Sequence, residues 1–62
     1  MADGEVYFEF VQVGQQMRVA AIDAATGTEV IVITPVSASK LQMQQVALAK
    51  LRKKLSVAPP GK

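Results

Sequence analysis

Three short β-rich runs carry apolar side chains at both their odd and their even positions, and one helical stretch follows them. A strand alternates its side chains between two faces. Apolar residues in both registers therefore make a sheet that is greasy on both sides. One helix covers one of those sides. The chain is left either with a bare apolar sheet face or with a partner to cover it.

Length sharpens this choice. Sixty-two residues make one domain at most, and a domain so short buries only about 60% of its unfolded surface. Folds of this size lean on disulfides, a metal or oligomerisation. The sequence has no cysteine and no histidine, which excludes disulfides, thiolate sites and the commonest metal ligand. Asp3, Glu5, Asp23 and Glu29 lack the spacing of a calcium loop. No metal and no cofactor is expected, and oligomerisation is the device that remains. Half the residues are hydrophobic, too many for a disordered segment.

Turn chemistry divides the chain. Residues 5–13, rich in β-branched and aromatic types, suit a first strand. Gly14-Gln15 fits a two-residue hairpin loop of type II′, with glycine at the positive φ. Residues 16–23 make a second strand, and Ala24–Gly27 a four-residue loop in which Asp23 accepts local N–H bonds. Residues 29–34 make a third strand, ended by Pro35, which has no N–H for a ladder. Ser39-Lys40-Leu41-Gln42 reads as a capping box opening a helix that ends by Ser56. The expected fold is α+β: a three-stranded antiparallel β-meander, order 1-2-3, with one C-terminal α-helix on one face. Residues 1–56 would form this single β-β-β-α domain, and 57–62 a disordered tail.

The two loops set a register, and the register sorts the faces. It pairs Phe10 with Val19 and Phe8 with Ala21, then Ala21 with Val30 and Val19 with Val32. One face holds Val6, Phe8, Phe10, Met17, Val19, Ala21, Val30 and Val32, and is the expected core. Leu41, Leu48, Leu51 and Leu55 share a helical stripe, flanked by Gln44 and Ala47, that should lie on it. Met43 and Val46 should point away. The opposite face carries Tyr7, Val11, Val13, Ala20, Ile22, Ile31 and Ile33, interrupted by Glu9, Gln16, Arg18 and Glu29. Glu9 and Arg18 fall diagonally on adjacent strands, where opposite charges can pair.

So many neighbouring apolar side chains on one face mark a contact site. The expected function is a non-catalytic interaction module that homodimerises through this face or through an edge strand. Its candidate interface is Tyr7, Glu9, Val11, Arg18, Ile22, Ile31 and Ile33; another protein partner is possible. General acid–base chemistry needs a tuned group in a cleft. Glu9, beside Tyr7 and Arg18, is the one candidate set, and a partly buried Glu–Arg pair more often fixes the register of an interface. No catalytic residue is assigned.

Charge is unevenly placed along the chain. Asp3, Glu5, Glu9, Asp23 and Glu29 stand against Arg18 alone in residues 1–37, while residues 38–62 hold six cations and no acid. Lys50, Arg52, Lys53 and Lys54 would complement the dipole at the helix end. They could also touch an acidic partner or nucleic-acid phosphates. Weak, non-specific nucleic-acid binding is the alternative function, and it would fall steeply between about 50 and 200 mM salt. The acidic start, Met1-Ala2-Asp3-Gly4-Glu5, is unlike a signal peptide. No run approaches the roughly 18 apolar residues of a membrane span. A cytoplasmic protein with no membrane partner is expected.

Several runs together carry a resemblance. They are the opening Gly4-Glu5-Val6-Tyr7-Phe8-Glu9-Phe10, the strand end Val19-Ala20-Ala21-Ile22-Asp23, the turn Thr26-Gly27-Thr28-Glu29, and Pro35-Val36-Ser37 leading into the leucine-striped helix. In these, residues 4–55 resemble a family of short, uncharacterised alphaproteobacterial proteins, a domain of unknown function. The resemblance implies a bacterial cytoplasmic protein. It brings no activity, ligand or site residue.

Overall fold

The computed structural model describes residues 5–56. Strands β1 (Val6–Val13), β2 (Gln16–Asp23) and β3 (Glu29–Pro35) form one antiparallel sheet in the order β1-β2-β3, followed by helix α1 (Lys40–Ser56). This is the expected meander and helix. The tail assigned to residues 57–62 lies outside the described residues.

The first hairpin forms where glycine permits it. Gly14 has φ +61°, while no non-glycine residue among the described residues has positive φ, so the Gly14-Gln15 loop has the backbone signature of type II′ rather than I′. The pairs Phe10–Val19 and Phe8–Ala21 follow on one side of β2, and Val19–Val32 and Ala21–Val30 on the other. The face assignment depends on this register, since a one-residue slip would exchange the faces.

The second turn is held by Asp23. Its Oδ2 accepts from the Thr26 N–H at 3.0 Å and the Thr26 hydroxyl at 2.7 Å. Its own N–H donates to the Thr28 carbonyl at 2.8 Å, and its carbonyl accepts from the Gly27 N–H at 2.8 Å. Gly27, at φ +74°, closes the loop. The Asp23 side chain is buried, so its hydrogen bonds are shielded from water. Asp23→Ala removes both carboxylate bonds and should cost about 2 kcal/mol in chemical denaturation.

The helix opens on the capping box. The Gln42 N–H donates to Ser39 Oγ at 3.0 Å, and the Ser39 N–H donates to Gln42 Oε1 at 3.3 Å. Lys53 and Lys54 occupy the last turn, where cations complement the dipole.

The rotation of α1 corrects the expected stripe. Met43, Ala47 and Leu51 are buried against Val19, Ala21 and Val30. Leu41 is 63% exposed and Leu55 42%, so neither belongs to the core, and Met43 points inward rather than away. Val46 is exposed, as the spacing implied. The reason lies in the floor. On the helix side, β2 and β3 present mostly Val and Ala, whereas β1 presents Phe8 and Phe10. Helix α1 packs on β2 and β3, with Ala47 fully buried where the two layers meet. It is tied there from its flank: Lys50 Nζ donates to the Ile31 carbonyl at 2.8 Å, and Lys54 Nζ to the Glu29 carbonyl at 3.5 Å.

One core position is imperfect. The Thr34 hydroxyl is buried without a hydrogen-bond partner. Such a group keeps its desolvation cost of about 1–3 kcal/mol. Thr34→Val keeps the branched shape and removes the hydroxyl. It should raise the denaturation midpoint, by about 1 kcal/mol of stability.

Candidate interaction surfaces

The sheet face away from α1 is the first surface. Odd-numbered residues of β1 and even-numbered residues of β2 share it, and β3 adds Glu29, Ile31 and Ile33. Successive cross-strand rows read Tyr7–Ile22–Glu29, Glu9–Ala20–Ile31, Val11–Arg18–Ile33 and Val13–Gln16–Pro35. Tyr7, Val11, Val13 and Ile33 are exposed, Ile22 and Ile31 half-buried, and the small Ala20 is buried among its neighbours. All seven expected interface residues therefore lie on this one face. Val13 belongs with them and is 60% exposed. Its odd position in β1 puts it on this face by simple alternation.

Glu9 and Arg18 sit as diagonal neighbours near the middle of the face, both exposed. No ion pair joins them among the described residues. Each charge is thus presented outward from an otherwise apolar field. Glu29 and Gln16 lie at the two ends of the face, giving it a polar rim.

The second surface lies beside β1, on the helix side of the sheet. Because α1 sits over β2 and β3, the helix side of β1 is only partly covered: Val6, Phe8 and Phe10 pack against the edge of the core and stay half-buried. A groove of about 420 Å³ runs there between β1 and the helix, lined by Val6, Phe8, Leu48, Arg52 and Leu55, with Asp23 and Leu51 at its base. Phe8 in this lining stacks on Phe10 farther along β1, with ring centroids 6.5 Å apart, and both rings are half-buried. Lys40 Nζ stands 4.9 Å from the Phe10 ring centre, an attractive cation–π placement. Of the four stripe leucines expected in the core, Leu51 alone lies within the buried cluster, while Leu48 and Leu55 line this groove and Leu41 is exposed.

The basic helix end does not form one patch. Lys50 and Lys54 reach the β3 edge, Arg52 lines the groove on the opposite flank, and Lys53 is exposed. Among the described residues there is no group of three or more Asp, Glu, His or Cys side chains placed to hold a metal ion. No described helix is long and apolar enough to cross a membrane.

A family model described as a domain of unknown function, DUF6898, matches residues 3–58. The chain belongs to the DUF6898 family. The match spans the whole sheet and helix. No curated protein and no solved structure matches the chain.

Proposed function

We propose that this DUF6898 chain is a small, non-catalytic protein-interaction module that associates with a second copy of itself through the bare sheet face. The observation that supports this is the placement of exposed Tyr7, Val11, Val13 and Ile33 around a central Glu9 and Arg18. Burying such a field removes apolar surface from water at about 25 cal/mol per Å². One acid and one base on the same patch make it complementary to itself. In a two-fold contact each surface meets its own copy, so Glu9 of one chain can face Arg18 of the other. The small size of the domain adds a reason, since it has little core of its own to draw on. The bacterial, cytoplasmic setting implied by the sequence resemblance is part of this proposal.

The nucleic-acid alternative draws on charge alone, and the dispersal of Lys50, Arg52, Lys53 and Lys54 over three directions gives it no continuous phosphate track. Light scattering over a dilution series tests the main reading. A mass of at least twice the 6.6 kDa chain, persisting to low micromolar, is the expected result. A mass of one chain throughout would refute it.

A further inference from the structure

The two edges of the sheet are treated differently. In an antiparallel ladder the residues alternate between those that bond to the neighbouring strand and those whose N–H and C=O point outward. On β3 the outward groups belong to Glu29, Ile31 and Ile33, and Lys50 and Lys54 donate to the carbonyls of Ile31 and Glu29. Pro35, at the strand's end, has no N–H to offer. Lysines and proline are standard ways to keep an edge from pairing. On β1 the closing pair Val13–Gln16 makes the odd residues inward-bonding, so Val6, Phe8, Phe10 and Gln12 point their backbone groups outward. No side chain among the described residues caps them. The strand is eight residues long and carries neither Lys nor Pro.

We infer that β1 is a joining edge, pairing antiparallel with β1 of a second copy to make one six-stranded sheet with both helices on the same side. A bare antiparallel edge complements itself, because its outward donors and acceptors alternate. The groove along β1 supports the same partner. Strands lie about 4.8 Å apart, so two helices, each centred between β2 and β3, would stand about 19 Å apart. Each is about 10–12 Å wide with its side chains, leaving a gap of about 8 Å. The paired β1 strands run beneath that gap and raise Phe8 and Phe10 into it from both copies. Leu48 and Leu55 line its walls, and the seven-residue spacing puts Leu41 on the same flank. The half-buried Phe8 and Phe10 and the exposed Leu41 and Leu55 would thus be covered by their copies, with Lys40 and Arg52 as charged groups at the gap. Register follows from charge. Centring the pair on Glu9 would set Glu9 opposite its own copy, which is destabilising, so the two-fold falls at Phe8 or Phe10.

This contact uses a surface separate from the bare face, and the two can hold at once. The test is sedimentation of the full chain with β1's outward N–H groups blocked. Gln12→Pro removes one such donor at an exposed position. A chemically synthesised chain with an N-methyl group on the Phe10 amide removes another without changing any side chain. Circular dichroism identifies which of these forms fold. Folded, edge-blocked chains should show half the mass of the unaltered chain at the same concentration; an unchanged mass would overturn the edge pairing. If Ile33→Asp halves the mass and edge blocking does not, the edge pairing fails and the bare-face reading stands. If edge blocking halves it and Ile33→Asp does not, the reverse holds. A single-chain mass for the unaltered protein overturns both.

Discussion

Leu51→Ala should leave the chain largely unfolded where Leu41→Ala leaves it intact. Leu51 is 0% exposed and packs into the cluster of Val19, Ala21, Val30, Met43 and Ala47. Trimming a buried leucine to alanine costs about 2–5 kcal/mol, through lost transfer energy and the cavity left behind. A chain of this length has about 3–9 kcal/mol in all. The loss therefore takes most of the stability. Leu41 is mainly in water, and its truncation should change stability by no more than about 0.5 kcal/mol. Urea denaturation of the two variants at low concentration measures the contrast. Equal losses would mean that α1 is rotated toward the leucine stripe, and that Met43 and Ala47 are not its contact line.

Ile33→Asp should halve the solution mass without unfolding the chain. Ile33 is 56% exposed on the bare face, so the isolated domain accommodates a carboxylate there with little strain. In the proposed two-fold contact the same carboxylate would be taken from water against an apolar surface, twice per pair of chains. An unpaired buried charge costs several kcal/mol, and each 1.4 kcal/mol is tenfold in affinity. The association constant should fall at least about a hundredfold. Val46→Asp, an exposed site on the helix, provides the control and should leave the mass unchanged. A mass unaffected by Ile33→Asp would remove this face as an interface.

The sequence was most informative where local chemistry acts alone. Gly14 and Gly27 fixed the loops, the loops fixed the register, and the register sorted every strand residue to its face. Ser39 and Gln42 marked the helix start to the residue. The helix rotation was less accessible, because Leu41, Leu48, Leu51 and Leu55 make a better apolar stripe than Met43, Ala47 and Leu51. What decided it is tertiary: the small floor of β2 and β3, the bulk of Phe8 and Phe10 on β1, and the reach of Lys50 and Lys54 to the β3 edge. None of these is visible within the helix itself. The bare face was readable from alternation alone. The groove beside β1 was not, since it exists only because the helix lies off-centre.

A charge exchange between two variants tests the bare-face contact most directly. Glu9→Arg alone sets Arg against Arg across the two-fold, and Arg18→Glu alone sets Glu against Glu. Mixed in equal amounts, the two variants restore both opposite-charge pairs, because the altered residue on each chain meets the altered residue on the other. Light scattering should give each variant alone half the mass of the unaltered chain, and the mixture should recover the full mass. Two variants that each keep the full mass, or a mixture that stays at half, would show that Glu9 and Arg18 do not face each other across a contact between chains.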